Sequence, residues 1–155
     1  MSAKRIDFLL PGTAALTLIA DQLSKSFIRA HLRLGESWIP FPALGRWFAI
    51  THVTNTGAAF GLFPQMGLVF VAIAVVVVAA IVIYYRHLPA EQWLVRVSLG
   101  LQLGGALGNL IDRLRYGHVT DFLDFKVWPV FNVADSAIVV GVAILAYCLL
   151  RDQEG

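Results

Sequence analysis

Three aspartates in the last third of the sequence could carry acid–base chemistry. Asp121 and Asp124 lie in a loop between two apolar segments, and Asp135 lies about one turn inside the second of these segments. Asn132 precedes Asp135 by three residues, so both side chains share one face of a helix. Helix capping explains Asp135 poorly, because a capping residue would stand at the first position of the apolar run.

A loop aspartate close to Asp135 would complete the minimum set of groups needed to hydrolyse a peptide bond without a metal. Two carboxylates that are brought together at low dielectric share one proton, because both cannot ionise. One carboxylate then acts as general base on a water molecule, while the other donates a proton to the substrate carbonyl. The spacing alone does not decide whether Asp121 or Asp124 is the partner of Asp135.

Two further polar groups lie within apolar segments, and each allows a structural and a functional interpretation. Asp21 and Lys25 stand at i and i+4 with the acid first, which is the favourable order for a helical ion pair. Asn109, Asp112 and Arg113 share one helical face, where they could support a site or form a buried hydrogen-bond network ending in an interfacial arginine. Both interpretations stay open for both groups.

Other catalytic chemistries lack their parts in this sequence. It contains neither the His-Glu-x-x-His motif of zinc proteases nor the Gly-x-Ser-x-Gly nucleophile elbow. The single cysteine, Cys148, excludes an intramolecular disulfide and a multi-cysteine metal site. A metal site built from His52, His118 and a carboxylate has little support, because no ligand spacing relates any of the four histidines: His31, His52, His87 and His118. We therefore expect no metal and no cofactor.

The elements that must position these residues are membrane helices. The chain has 155 residues, of which 58% are hydrophobic and only 14% charged, and its mean hydropathy is +0.73. Soluble domains contain about 25% charged residues. A net charge of +2 without a Lys/Arg cluster predicts no nucleic-acid partner. Because a spanning helix needs about 20 mostly apolar residues, the sequence predicts one all-α membrane domain over residues 1–155, with four transmembrane helices at 8–28, 67–85, 92–112 and 131–150.

The packing and retention of these helices can also be predicted. The first apolar run continues into Asp21 and Lys25 instead of a small-residue cleavage site, which favours a retained helix over a cleaved signal peptide. Gly100, Gly104 and Gly108 recur every four residues, a pattern that permits close helix packing. The third helix should therefore be central in the bundle.

With four spans, one membrane face collects most of the polar groups. The first and third helices end on that face, and the fourth helix begins there. This convergence is typical of an active or binding site. The positive-inside rule does not decide the orientation, because cations fall on both sides; only Lys4, Arg5 and Arg151 favour cytoplasmic termini.

The long segment between the first two helices, residues 31–66, should lie on this same face. Residues 47–54 are rich in aromatic and β-branched side chains and predict an extended strand, followed by a turn at Asn55-Thr56-Gly57. We expect a small extracytoplasmic β-sheet between helices 1 and 2, beside the polar cluster.

Five short blocks together resemble one known family, the bacterial lipoprotein signal peptidases (signal peptidase II), which are aspartic proteases of the inner membrane. Each block is weak alone, but five in the family's order are highly specific. They span residues 21–135 and read Asp21-Gln-Leu-Ser-Lys25, Asn55-Thr-Gly-Ala-Ala-Phe-Gly61, Gly108-Asn-Leu-Ile-Asp-Arg113, Val119-Thr-Asp-Phe122 and Phe131-Asn-Val-Ala-Asp135.

The resemblance implies roles for individual residues. It identifies Asp121 and Asp135 as the catalytic aspartates, which resolves the ambiguity with Asp124. Asp21 and Lys25 match the polar pair of the family's first helix. The remaining matches line or support the substrate site: Asn55, Gly57, Asn109, Asp112, Arg113, Asn132 and Ala134.

The resemblance also implies a substrate and a place in the cell. The substrate would be a prolipoprotein that already carries diacylglyceryl, and cleavage would fall just before its lipidated cysteine. The enzyme would cross the inner membrane with both termini cytoplasmic and its site toward the periplasm, in contact with membrane lipid. One chain would suffice, because a single pair of aspartates needs no partner subunit.

Two alternatives from other classes remain. A small proton-coupled transporter would use the intramembrane acids as a relay and would move solute across liposomes without forming peptide products. A lipid-binding scaffold would show neither activity.

Overall fold

The computed structural model describes residues 8–57, 67–89 and 91–153. Lys4 and Arg5, and the last four residues of the second sequence block (58–61), lie outside the described residues. The described residues form four helices and one small sheet. In chain order the elements are α1 Leu9–His31, β1 Ser37–Trp38, a short 3-10 turn Pro42–Leu44, β2 Ala49–Asn55, α2 Gly67–Tyr85, α3 Trp93–Tyr116, β3 Val119–Asp124 and α4 Val133–Gln153.

Three of these helices are long and apolar enough to cross a membrane. They are Gly67–Tyr85, Trp93–Tyr116 and Val133–Arg151. Helix α2 has the predicted bounds, whereas the other three end three or four residues beyond the predicted spans. The predicted bounds followed hydropathy, but a helix continues until its hydrogen-bond pattern breaks. For α3 the break is Gly117, whose left-handed backbone (φ 75°) places its N–H on the Arg113 carbonyl at 3.0 Å.

Helix α3 is the central helix, as the glycine spacing predicted, and packs against α1, α2 and α4. A Cβ atom added to Gly104 would lie 2.5 Å from the Ala14 carbonyl of α1, and one added to Gly105 would lie 2.5 Å from the Ala134 carbonyl of α4. Real Cβ contacts are never this short, so both neighbours require glycine at these positions. The small residues thus bring three backbones together around one axis.

The bundle is apolar at the end remote from the sheet. Leu10 and Ala14 of α1 pack there with Ile81 of α2 and with Leu99 and Leu103 of α3. Beside them the buried Arg96 donates to the carbonyls of Leu88 (2.7 Å) and Pro89 (3.2 Å) in the connection that follows α2. The guanidinium therefore satisfies backbone carbonyls of the connection between α2 and α3.

The sheet has the antiparallel order β1-β2-β3. Its first two strands come from the segment between α1 and α2, as predicted. The third strand comes from the connection between α3 and α4, where the sequence predicted only a loop, so that part of the prediction was wrong. The pairing of Val53 with Asp121 and of Asn55 with Val119 shows the reason. This short, aspartate-containing segment becomes a strand because β2 offers it a partner.

The close glycine contacts predict a difference between two alanine substitutions. Gly104→Ala should destabilise the protein by about 1–3 kcal/mol, because the added methyl group meets the Ala14 carbonyl. This corresponds to a melting temperature lower by roughly 2–10 °C. Unfolding can be followed in detergent by the reaction of a maleimide dye with the buried Cys148.

Gly12→Ala on α1 is the matched control. A Cβ atom there meets nothing within 4 Å, so its melting temperature should equal or slightly exceed that of the parent protein. Equal melting temperatures for both variants would contradict the tight crossing of α1 and α3.

Candidate active site

A cavity of about 320 Å³ lies where the sheet meets the helices. Helix α2 borders it with Phe70, α3 with Asn109 and Arg113, and α4 with Asp135. The cavity therefore opens between α2 and α4, over the last turns of α3. Its remaining walls come from β2 and the turn after it, from β3, and from the segment before α4: Asn55, Gly57, Val119, Asp121, Trp128, Pro129, Val130 and Phe131.

Asp121 projects from β3 into this cavity and is 2% exposed. Its Oδ1 accepts a hydrogen bond from Asn132 Nδ2 (2.7 Å), and its Oδ2 accepts one from Asn55 Nδ2 (3.1 Å). Burial raises the pKa of Asp121 to about 7, and the negative charge of Asp135 acts in the same direction, while both amide donors oppose the rise. Near neutral pH this carboxyl group therefore exchanges between its protonated and ionised forms.

Asp135 lies in the first turn of α4, not one turn inside the helix as the sequence suggested, because α4 begins at Val133. Asn132, the residue just before the start of α4, caps the helix: its Oδ1 accepts the backbone N–H of Asp135 at 2.9 Å. The Asp135 carboxylate instead points to the cavity, where its Oδ1 accepts a hydrogen bond from Asn109 Nδ2 at 2.8 Å. The asparagine cap thus leaves the carboxylate available for chemistry.

Two asparagines link the aspartates. The buried Asn132 directs Nδ2 toward both Asp121 Oδ1 (2.7 Å) and Asn109 Oδ1 (3.1 Å), and Asn109 binds Asp135 through its own Nδ2. The chain of contacts Asp121–Asn132–Asn109–Asp135 runs from β3 to α4 through α3. It fixes the relative position of the two carboxylates.

A buried charge cluster contacts this chain of hydrogen bonds on the side away from the cavity. Lys25 Nζ lies 2.8 Å from Asp21 Oδ2 and 3.3 Å from Asp112 Oδ2, and it donates to Asn109 Oδ1 at 2.9 Å. The two carboxylates also accept backbone N–H groups, Asp21 from Ala134 in α4 and Asp112 from Thr120 in β3. The cluster therefore joins α1, α3, α4 and β3, as the structural interpretation of Asp21 and Lys25 requires, and it reaches the cavity through Asn109.

Arg113 forms one wall of the cavity. Its Nη2 donates to the Gly57 carbonyl at 3.3 Å, and its guanidinium carbon lies 5.3 Å from the centre of the Phe70 ring. Its Nε is buried and has no hydrogen-bond partner among the described residues. Gly57 N–H in turn binds Asn55 Oδ1 at 3.0 Å, which forms the predicted turn after β2. Arg113 therefore contributes its guanidinium to the cavity wall, with the Nε atom itself enclosed by the protein.

The structure separates Asp124 from the site. Its Oδ2 accepts hydrogen bonds from Thr51 Oγ1 (2.7 Å) and from Lys126 Nζ, across and beyond the sheet. Asp124 does not line the cavity. Ala134 does not line it either: the residue is fully buried, and its backbone N–H serves Asp21. Apart from Asp121 and Asp135, the other predicted site residues are layered: four line the cavity (Asn55, Gly57, Asn109 and Arg113), two lie one hydrogen bond behind it (Asn132 and Lys25), and two lie one contact farther back (Asp21 and Asp112).

Sequence reasoning missed several residues around the site. Gln22 Nε2 donates to Asp21 Oδ2 and to Asp112 Oδ1, both at 3.1 Å, and Arg29 donates to Thr120 Oγ1 at 3.0 Å. A signal for Gln22 was present, since it is a polar residue inside an apolar span. No comparable signal marked Phe70 or Trp128, because aromatic residues at a membrane surface are common.

Comparison with known proteins places the chain in a family. The family model of signal peptidase (SPase) II matches residues 13–151. A lipoprotein signal peptidase of Moorella thermoacetica is 54% identical over 137 residues, 88% of this chain and 89% of that protein. One from Geobacter metallireducens is 47% identical over 90% of this chain and 89% of that protein. A bacterial membrane enzyme solved by the in meso method at 1.9 Å resolution shares 31% identity with a TM-score of 0.85, over 98% of this chain and 99% of that one. The chain therefore belongs to the signal peptidase II family of membrane proteases, as its five sequence blocks predicted.

Proposed function

We propose that this protein is an aspartic endopeptidase that removes the signal peptide from diacylglyceryl-modified prolipoproteins, with Asp121 and Asp135 as its catalytic pair. The observation that carries the proposal is that both carboxylates line one cavity at the end of the apolar helices and are joined through two asparagines. Relatives named lipoprotein signal peptidases support the choice of substrate. The family gives no support to the transporter alternative.

The pair would work with one shared proton. The ionised aspartate takes a proton from a water molecule as the water oxygen attacks the scissile carbonyl carbon, and the protonated aspartate donates to the carbonyl oxygen. The tetrahedral intermediate then collapses: its nitrogen takes the proton that the first aspartate had removed from water, a hydroxyl of the intermediate returns a proton to the other aspartate, and the C–N bond breaks. The products are the carboxylate of the signal peptide and the free amine of the lipidated cysteine.

The neighbouring residues would position the reacting groups. Asn55 and Asn132 orient Asp121, and Asn109 orients Asp135. The guanidinium of Arg113, which lines the cavity, would bind a carbonyl of the substrate backbone and hold the scissile amide beside the pair. Asp21, Lys25 and Asp112 would act through Asn109 and through the backbone of α4 and β3.

The proposal includes a fourth membrane span, α1, so that residues 1–155 form one membrane-embedded peptidase domain. Asp21 and Lys25 are fully buried against α3, while Leu16, Ile19 and Leu23 are exposed and would face lipid. A helix of 23 residues is about 34 Å long, which is enough to cross the hydrocarbon core. Four spans would put both termini on one side of the inner membrane, proposed as the cytoplasmic side, and would put the cavity near the periplasmic face.

One chain contains both carboxylates, so the protein would act as a monomer. The acyl chains of the substrate would enter the cavity from the surrounding lipid.

Substitution of either aspartate should abolish cleavage. Asp121→Asn and Asp135→Asn each remove the acid–base function and preserve shape, so turnover of a diacylglyceryl-modified precursor should fall at least about 10³-fold. The measurement is a gel-shift assay in detergent, with a chelator and an unlipidated precursor as controls.

Asp124→Asn is the matched control, because Asp124 lies on the same strand but outside the cavity. It should retain most of the activity, provided that the sheet keeps its stability. Turnover by Asp121→Asn at the level of Asp124→Asn would refute the assignment of the pair.

The pKa of Asp121 predicts the alkaline side of the pH–rate profile. Above about pH 7 the pair loses its shared proton, so kcat/KM should fall when chemistry limits the rate. Asn55→Ala removes a donor that lowers this pKa. The alkaline limb should therefore move to higher pH, although the maximal rate falls; a profile independent of pH, or a limb that moves downward, would contradict the prediction.

The fourth span can be tested by labelling cysteines at the two ends of α1. In a Cys148→Ala background, Phe8→Cys and Ala30→Cys place thiols at exposed positions of opposite ends. An impermeant maleimide should label Ala30→Cys in spheroplasts and Phe8→Cys only after permeabilisation. Glu91→Cys, in the connection between α2 and α3, should behave like Phe8→Cys. Labelling of both ends of α1 from outside would exclude the span.

A further inference from the structure

Arg29 lies in the last turn of α1 and contacts one of the strands that build the site. Its side chain is 20% exposed. Nη1 donates to Thr120 Oγ1 (3.0 Å) and lies 3.9 Å from Asp112 Oδ1, and Nη2 donates to Ser26 Oγ (3.1 Å). The guanidinium carbon lies 4.6 Å from the centre of the Tyr116 ring. This arginine therefore joins α1 to both α3 and β3.

Thr120, the strand residue that Arg29 binds, immediately precedes Asp121. Its side chain is fully buried and does not line the cavity, because neighbouring side chains on a strand point to opposite faces. The Thr120 hydroxyl accepts the hydrogen bond from Arg29, and its backbone N–H donates to Asp112 Oδ2 at 3.0 Å. Strand β3 is thus held by a side-chain contact and a backbone contact one residue before Asp121.

The pairing of β3 with β2 is irregular beside Asp121. Between its pairs with Asp121 and Leu123, strand β2 has two residues where β3 has one. Such a bulge interrupts the ladder and bends the strand locally. The pairing alone therefore defines the position of Asp121 less tightly than a regular ladder would, and the contacts at Thr120 supply a restraint from outside the sheet.

We propose that Arg29 is a positioning residue: through the Thr120 hydroxyl it fixes the backbone that carries Asp121, and thereby the relative position of the two catalytic carboxylates. The proposal rests on the proposed function. Lys25, one turn earlier on the same face of α1, reaches Asp135 through one asparagine. One stripe of α1 would then position both aspartates, each through a different cation.

The expected effect of Arg29 is on the rate of the chemical step. Its planar guanidinium donates from two nitrogens in fixed directions and stacks on an aromatic ring, which holds the Thr120 contact in one geometry. Arg29 does not line the cavity, so it would not touch the substrate. A misplacement of about 1 Å at the reacting groups can slow a reaction about 10²-fold. Loss of Arg29 should therefore lower kcat and leave KM unchanged.

The first test is Arg29→Met, which keeps an unbranched chain and loses both donors. Cleavage of a diacylglyceryl-modified precursor is measured in detergent per folded protein, together with the melting temperature. The kcat value should fall about 5- to 30-fold, with KM within about twofold of the parent value. Ser26→Ala is the matched control, because it removes the acceptor of Nη2 and leaves the Thr120 contact in place. Its kcat should equal that of the parent protein.

The second test separates the hydroxyl of Thr120 from its packing. Thr120→Val keeps the shape and loses the hydroxyl, whereas Thr120→Ser keeps the hydroxyl and loses a methyl group. Thr120→Val should slow cleavage as Arg29→Met does, and Thr120→Ser should restore most of the rate; a role in packing alone predicts the opposite order. The double variant Arg29→Met/Thr120→Val should be no slower than the slower single variant, because both changes remove the same contact.

The outcomes distinguish this proposal from the proposed function. An unchanged kcat for Arg29→Met overturns the positioning role and leaves the peptidase activity standing, as does a rise in KM at unchanged kcat. A lower kcat for Thr120→Ser than for Thr120→Val overturns it as well, and this comparison decides the matter if Arg29→Met does not fold. Absence of cleavage by the well-folded parent protein would refute the proposed function and this inference with it.

Discussion

The architecture depends on neutralising one buried cation. Lys25 is fully buried, and an ammonium group at such a position is tolerated only if every donor is paired. Its partners are Asp21, Asp112 and Asn109. Removing one partner of a buried ion pair typically lowers the free energy of unfolding by about 3–5 kcal/mol. Arrangements that separate these residues are therefore strongly disfavoured. Because the two carboxylates also bind backbone N–H groups of α4 and β3, the charge sets the position of both elements that carry the aspartates of the proposed pair.

The same low-dielectric environment gives Asp121 its chemical character. Out of water, its ionised form loses solvation, and the nearby Asp135 disfavours a second negative charge. The side-chain amides of Asn55 and Asn132 donate hydrogen bonds that reduce this rise in pKa but do not cancel it. A carboxyl group with a pKa near 7 is suited to exchange protons at physiological pH. Asp124 lies three residues, or about 10 Å, farther along the same strand and is bound by Lys126 and Thr51. Environment, rather than residue type, distinguishes them.

The sequence predicted the helices better than the site geometry. The bounds of α2 were predicted correctly because its apolar run carries no charge and ends at turn residues. The two-residue error at the start of α4 had a larger consequence, since it concealed that Asn132 caps the helix and that Asp135 belongs to its first turn. Asp121 and Asp124 could not be separated by spacing because β3 was read as a loop. On a strand, residues three apart point to opposite faces, but the strand exists only through its pairing with β2.

One contact joins the beginning of the chain to its end: the Asp21 carboxylate of α1 accepts the backbone N–H of Ala134 in α4. These residues are 113 positions apart, so the contact cannot form until nearly all of the protein has been synthesised and inserted. A nascent chain that ends before Asn132 lacks both Asp135 and one of the two asparagines that orient Asp121. If the proposed pair carries the chemistry, an incompletely inserted copy would therefore have no means of cleaving its neighbours in the membrane.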